Sequence, residues 1–390
     1  MIYLDANATT PVDPAVIDAM LPFLCEHYAN PSAAYAGGRV VRRAIEKARE
    51  EVAALLGAHP DEIVFTSGGT ESINAVHASV RSLWPEKPEL VITGSEHAAV
   101  LESARRWQSQ GGKVIQAPVK ADGRVDLDAL RTLVRPGITA LVSIMWANNE
   151  TGVLAPMHEI VGIAHAAGAW VHTDAVQAAG KVHLDVKTTP VDFLSLSGHK
   201  MHAPKGVGAL YLSRRARFEP LLLGGGQENG RRSSTENVPG IIGLGKAAER
   251  ARHHLDDGTK ARLHAMRDRF EHLVHAAEPG MRLHGCREHR LHNTSSFRLP
   301  EIDAAGMLIL LDKAGIACSA GSACHTAALH PSHVLEAMGV SARDAACTLR
   351  VSFHRFNTKP EAETAARAVI EAAMKMRAMQ GDSALVTSAV

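Results

Sequence analysis

The stretch Val191-Asp-Phe-Leu-Ser-Leu-Ser-Gly-His-Lys200 decides how this chain is read. Val191–Leu196 is an apolar run that predicts a strand, and Ser197-Gly-His-Lys200 is a turn of small and polar residues directly after it. A strand that delivers a lysine from its end into such a turn is how an α/β enzyme presents an amine to a carbonyl. The amine can form a Schiff base, and the cofactor that uses one is pyridoxal phosphate. Alone, a lysine beside glycine is a solvated loop residue; its companions reverse that reading.

Upstream, Trp170–His172 predicts a short strand with Asp174 just past its end. A carboxylate there can pair with a pyridinium N–H and keep the ring an electron sink. The plainer role for Asp174 is the N-cap of a helix begun by Ala175–Ala179. Gln177 can donate to the ring's phenolate oxygen. Glu62–Phe65 predicts a strand, followed by Thr66-Ser-Gly-Gly-Thr-Glu-Ser72 and a helical pattern from Ile73. Strand, glycine turn and helix N-terminus form a phosphate cradle at Gly69 and Thr70. Leu90–Thr93 is a further strand, and His97 follows it, placed to stack on a ring and carry protons. Asn149 follows the strand Ala140–Trp146. All these candidates fall at strand carboxyl ends, where open α/β sheets bind ligands.

With those motifs in order, the chain resembles the cysteine desulfurases of the NifS/IscS type, class V enzymes of fold-type I. The resemblance runs from Tyr3-Leu-Asp-Ala-Asn-Ala-Thr-Thr-Pro11 to Arg350-Val-Ser-Phe-His-Arg355. It implies a fold-type I α/β architecture, a mainly parallel sheet flanked by helices, with a smaller α+β C-terminal domain. It implies that Lys200 holds pyridoxal phosphate, with Asp174 on the ring nitrogen and Gln177 and Asn149 on the phenolate side. His97 would stack on the ring as acid and base, and Thr70, Ser197 and His199 would bind the phosphate beside Gly69. In the glycine-rich segment Gly224–Asn237, Thr235 would reach the phosphate held by the other subunit, which implies a homodimer. Arg350 would clamp the substrate carboxylate, as a bidentate guanidinium can.

The same resemblance assigns the nucleophile. In Ala317-Cys-Ser-Ala-Gly-Ser-Ala-Cys324 the family's reactive cysteine aligns with Cys324, on a loop of small residues. A thiolate must reach the substrate sulfur and then carry it away, and such a loop allows that travel. Cys318 reads as a small buried residue instead. The implied reaction has cysteine displace Lys200, Lys200 remove the Cα proton, and the Cys324 thiolate attack Sγ. Alanine leaves and the sulfur stays as a Cys324 persulfide.

The chain departs from the family pattern at Tyr35, His330 and His354, and at Ser234 and Ala203, where glycines are usual. These departures are expected near the loop and the pocket mouth, where they bear on substrate and acceptor. They motivate an alternative, a selenocysteine lyase or related β-lyase; a non-catalytic scaffold is the alternative outside enzymes, and the intact Lys200, Asp174, His97, Cys324 and Arg350 oppose it. Cys324, His325, His330 and His333 have zinc-like spacing, but a metal would immobilise the thiolate, so none is expected.

The chain has 390 residues, which predicts two unequal domains: 15–258, binding the cofactor, and 1–14 with 259–390, carrying the cysteine loop. Apolar residues make up 46% and aromatics only 4%, so the core must rest on aliphatic side chains. A net charge of +1 gives no case for nucleic acid or an anionic membrane. There is no run of about 18 apolar residues and no signal-like start, and the five cysteines are scattered, which together predict a reducing cytoplasm. Leu244–Ala277 reads as one helical stretch, and the tail from Asp382 as frayed.

Overall fold

The strand that carries the lysine is Phe193–Ser197, and it lies inside a seven-stranded sheet. The computed structural model describes residues 1–320 and 332–387, with side chains described to residue 380. Cys324, His325 and His330 lie outside the described residues. In chain order the strands are β1 (Ile2–Tyr3), β2 (Ile63–Thr66), β3 (Glu89–Thr93), β4 (Lys113–Ala117), β5 (Thr139–Ser143), β6 (Trp170–Asp174) and β7 (Phe193–Ser197). There follow β8 (Gly208–Leu212), β9 (Arg282–Leu283), β10 (Thr294–Arg298), β11 (Ile316–Ala317), β12 (Ser319–Ala320) and β13 (Thr348–Ser352).

The large sheet has the order β2-β8-β7-β6-β5-β3-β4. Its pairings are parallel from β7 through β4, and β8 runs antiparallel to both its neighbours. Side chains alternate between two cores, as a strand period of two requires. Ile63 and Phe65 of β2 face one core and Val64 the other; Ala209 and Tyr211 of β8 face the first, Leu210 and Leu212 the second. The helices Ala36–Leu56 and Val238–His254 pack on the first face, Gly69–Leu83 and Ala98–Ser109 on the second. Both faces are thus covered, which explains strands that read as continuous apolar runs.

A second, antiparallel sheet has the order β12-β13-β10-β9, and β1 pairs in parallel with β11. A separate core underlies these strands, built from Leu4, Met266, Phe270, Phe297, Leu311, Leu349, Phe353 and Val369 among others. Leu4 in that core ties the chain's first residues to its last third.

Two local expectations change. The stretch Leu244–Ala277 is not one helix: Val238–His254 ends, and Thr259–Ala277 begins after Gly258 at φ +86°, a left-handed conformation that glycine adopts without a Cβ clash. Asp257 accepts from the Thr259 N–H at 2.9 Å and marks the restart. At the other end, the last helix continues as Lys359–Thr387 rather than fraying from Asp382.

Candidate active site

The carboxyl ends of β2, β3, β5, β6 and β7 open onto one cavity of about 310 Å³. Its walls hold Gly69, Thr70, His97, Asn149, Asp174, Gln177, Ser197, His199, Lys200 and Arg350, ten of the twelve residues singled out in the sequence. Cys324 lies outside the described residues. Thr235 is exposed and does not line this cavity.

Every wall residue but Arg350 is placed by a strand end of the large sheet. Lys200 ends the turn Gly198–Lys200 after β7, and its Nζ donates to the carbonyl oxygens of Asn7 and Ala8, both at 2.6 Å. Asp174 is the last residue of β6 and is 6% exposed. Its Oδ1 accepts from the Val176 N–H at 2.9 Å. Residues 176–180 are a run of turns, so Asp174 caps a turn and no helix starts there. Burial pushes the Asp174 carboxyl up, while the charges of His97 and Lys200 favour its ionised form.

His97 is the N-cap of the helix Ala98–Ser109, its Nδ1 accepting from the Ala99 N–H at 3.1 Å. An accepting Nδ1 puts the neutral ring's proton on Nε2. His199 bonds Thr9 Oγ1 through Nδ1 at 3.2 Å, and burial, with Lys200, Lys205 and Lys181 nearby, pushes it down to about 4. It is therefore neutral near neutral pH, with one ring nitrogen a donor and the other an acceptor.

At the cradle, Gly68 stands at φ +154° and the helix Gly69–Leu83 starts one residue later. The first N–H groups of a helix have no partner within it. A Cβ on Gly69 would stand 2.7 Å from Val176 Cγ2, so only glycine leaves this floor open. Glu71 accepts from the Ser67 N–H at 2.8 Å and pairs with Arg232 of the glycine-rich segment, also at 2.8 Å. Glu228 of that segment accepts from the Phe65 N–H at 3.0 Å and from Arg49. The glycine-rich segment is thus bolted to the outer rim of the cradle.

Arg350 in β13 is 1% exposed, yet its guanidinium reaches the cavity. One arm donates to Asp5 Oδ1 at 2.7 Å and the other to the Asn149 carbonyl at 3.1 Å; Nε is buried without a hydrogen-bond partner. Asn149 Oδ1 is likewise buried and unpartnered. Polar atoms left in this state cost free energy until a ligand meets them.

Sequence reasoning missed several members. The Asn7 and Ala8 carbonyls that take the lysine carried only a motif, with no role attached. Glu150 lines the cavity and accepts from Ser332 Oγ at 2.5 Å; burial raises it to about 7 against the pull of Arg350. Glu96, fully buried, is raised by burial to about 8 and accepts from Thr93 Oγ1 at 2.7 Å. His333 also lines the cavity, its Nε2 bonded to the Glu96 carbonyl at 2.8 Å.

Beneath the site a buried polar chain crosses three strands: Ser195, His172, Ser143, His77 and Ser103, with links of 2.9, 2.7, 3.0 and 2.8 Å. Burial keeps both imidazoles neutral, so each has one donor and one acceptor. Ser103 Oγ also lies 3.0 Å from the Val100 carbonyl, which can only accept. Every proton finds an acceptor if Ser103 donates there. His77 then donates to Ser103, Ser143 to His77, His172 to Ser143 and Ser195 to His172.

Among the described residues, the departures from the family pattern are not gathered at the cavity mouth. Tyr35 is 61% exposed before the helix Ala36–Leu56. His354 is buried among the rings of Tyr3, His202 and Phe356. Ala203 is buried beside Gly198, whose carbonyl accepts from its N–H at 3.1 Å. Ser234 stands at φ +119°, a backbone conformation suited to glycine.

Comparison with known proteins adds a second line. A family model described as Aminotransferase class-V matches residues 2–364. A cysteine desulfurase of Gluconacetobacter diazotrophicus is 48% identical over 365 residues, covering 93% of this chain and 90% of the relative. The cysteine desulfurase NifS of Azotobacter vinelandii is 46% identical over 369 residues, covering 94% and 91%. A solved structure titled NifS-like protein aligns with a TM-score of 0.89 at 38% identity, covering 95% of this chain and 98% of that one.

Proposed function

The chain belongs to the class-V aminotransferase family, and from that premise we infer a cysteine desulfurase, an enzyme that converts L-cysteine to L-alanine and retains the sulfur. The observation that carries the reading to the site is the convergence of Lys200, Asp174, His97, Asn149 and Arg350 on one cavity.

The residues present fit pyridoxal phosphate. The cavity is of small-molecule size, and the cradle is kept open by Gly69. When bound, the cofactor supplies a carbonyl for an amine and a ring that draws electrons from a substrate Cα. Gly69, Thr70, Ser197 and His199 are the groups proposed to hold its phosphate, Asp174 its ring nitrogen, and Gln177 and Asn149 its phenolate side. Lys200 Nζ is the amine for the carbonyl and the base for the Cα proton. His97 presents its Nε2 proton from the helix start. Arg350, already gripped by Asp5, orients the substrate carboxylate with its remaining donors. Cys324 is proposed as the thiolate that takes the sulfur as a persulfide for an acceptor in iron–sulfur assembly, tRNA thiolation or cofactor synthesis.

A homodimer in which Thr235 reaches the partner's phosphate site completes the proposal. Thr235 is exposed on a segment anchored at the cradle rim, and Leu24 (60%), Tyr28 (83%) and Leu223 (82%) offer exposed apolar surface for such contact. The domain boundary is placed at 258/259, with residues 1–14 joining the second unit; the pairing of β1 with β11 supports it. Among the described residues no helix is long and apolar enough to cross a membrane, and a cytoplasmic location is proposed.

The experiment is a mass spectrum after incubation with L-cysteine and pyridoxal phosphate, with and without dithiothreitol. A reducible sulfur adduct on the Cys324 peptide, with alanine formed alongside, is expected. Alanine or pyruvate with no adduct on Cys324 would sink the persulfide role and favour a β-lyase. Selenocysteine turnover retained by Cys324→Ala, with cysteine turnover lost, would point the same way.

A further inference from the structure

Lys181 has no part in the mechanism above, yet it stands one hydrogen bond away from it. Its Nζ donates to Gln177 Oε1 at 2.7 Å. Gln177 Nε2 donates to the Asn7 carbonyl at 2.9 Å, and the same carbonyl accepts from Lys200 Nζ at 2.6 Å. Gln177 lines the 310 Å³ cavity, whereas Lys181 lines a separate cavity of about 50 Å³ on the far side of Lys200. Burial pushes its amine down to about 7, and the charges of Lys200 and Arg350 push the same way. His199 and His292 also feel its charge.

An amide has a donating end and an accepting end, and a lysine ammonium, which has no lone pair, can satisfy only the accepting end. Lys181 therefore draws Oε1 to the rear of the site. The NH₂ end turns to Asn7 and to the cavity, where the phenolate side of the cofactor needs a donor. The Asn7 carbonyl makes the matching demand at the NH₂ end, so the amide is clamped at both ends.

We propose that Lys181 is a positioning residue, which holds the Gln177 amide with its NH₂ group toward the phenolate side of the bound cofactor. The proposal rests on the cofactor reading above. Loss of the clamp loosens the donor to the phenolate. A less stabilised phenolate holds the neighbouring imine proton more tightly, so the pH midpoint of the bound cofactor's visible band rises.

The test titrates that band in the unaltered holoenzyme, Lys181→Met, Lys181→Arg, Gln177→Leu and the Lys181→Met/Gln177→Leu pair, with thermal melts as the check on folding. Lys181→Met should raise the midpoint by about half a unit or more, and Lys181→Arg should restore it. In the Gln177→Leu background, Lys181→Met should add nothing, because the two act as one unit. An additive shift in the pair would overturn the proposal, since charge acting at a distance would then be the cause, and so would an unmoved midpoint in a folded Lys181→Met. Should Lys181→Met not fold, Lys181→Gln decides: its amide keeps a donor without charge, so an unchanged midpoint supports the clamp and a raised one refutes it. A complete absence of the band in the unaltered protein would defeat the cofactor reading itself, and this proposal with it.

Discussion

Gln177 and Lys200 are hydrogen-bonded to one atom, the carbonyl oxygen of Asn7, at 2.9 and 2.6 Å. A backbone oxygen has two lone pairs, so both are spent on groups of the proposed site. The position of that oxygen is fixed in turn by its own residue. Asn7 Nδ2 donates to the Asn149 carbonyl at 3.0 Å and to Thr294 Oγ1 at 2.9 Å, and its N–H donates to Ser352 Oγ at 3.0 Å.

Replacing Asn7 by alanine removes both side-chain donations at a residue only 2% exposed, so Thr294 Oγ1 loses its donor and the Asn149 carbonyl keeps only that of Arg350. The expected cost is about 1–3 kcal/mol of stability, with weaker retention of cofactor on dialysis. Denaturant unfolding and absorbance after dialysis check it; unchanged values in both would show that Asn7 does not hold the site.

Gly208 in β8 has no room for a side chain. A Cβ there would lie 2.6 Å from Gly68 Cα and 2.6 Å from the Leu196 carbonyl oxygen, both backbone atoms. Gly208→Ala should therefore push the phosphate cradle away from β7, at about 1–3 kcal/mol and with a raised cofactor dissociation constant. Gly162, in the helix Met157–Ala166 with nothing within 4 Å of its Cβ position, is the control. Gly162→Ala should stabilise by roughly 0.5–1 kcal/mol.

Ser234 holds φ +119°, where the family usually has glycine. Relief of backbone strain on changing Ser234 to glycine outweighs the added freedom of the unfolded chain, for a net gain of about 1 kcal/mol. A higher melting temperature in Ser234→Gly is the expected reading; a lower one would mean that the serine side chain compensates for its backbone.

Stability should fall on the acid side. His77 is held down to about 3 by burial, against 6.5 for the free group, so between those values the unfolded chain binds a proton that the folded chain does not. Its contribution is complete above pH 6.5 and declines as pH falls toward 3. Glu96 has the opposite sign: raised from 4.5 to about 8, it retains a proton in the fold and loses stability as pH rises through that window. Glu96→Gln should lessen the loss between pH 5 and 8, and His77→Gln should flatten the decline between pH 6.5 and 4. Melting temperatures across that range, in each variant and the unaltered chain, test both.

Much of the site was legible because strand ends are legible. Lys200, Asp174, His97 and Asn149 each follow an apolar run, and the parallel order of β5, β6 and β7 brings such ends together. Gln177 was read from its place three residues after Asp174, and Arg350 came from the family pattern. Asn7, Lys181 and Glu96 were not legible, because what defines them is a partner distant in sequence or a burial that no local pattern announces; Lys200 and Asn7 are 193 positions apart. The break between the helices at Asp257–Gly258 was hidden by a helical pattern on both sides. The surroundings of His354 were misplaced because ring packing with Tyr3 and His202 depends on the tertiary fold.

The placement of the first ten residues sets an order of events during synthesis. Ile2 pairs with Ile316, Asp5 grips Arg350, and Asn7 leans on Thr294 and Ser352. Those residues leave the ribosome about 300 positions ahead of their partners and wait for them. The large sheet, whose strands all lie within residues 63–212, needs no such wait. A nascent chain can therefore build the floor of its active site early, but the segment that seats Lys200 is fixed in place only after residues 294–352 have been made. A polypeptide released early by a premature stop would carry the lysine with its seat unanchored.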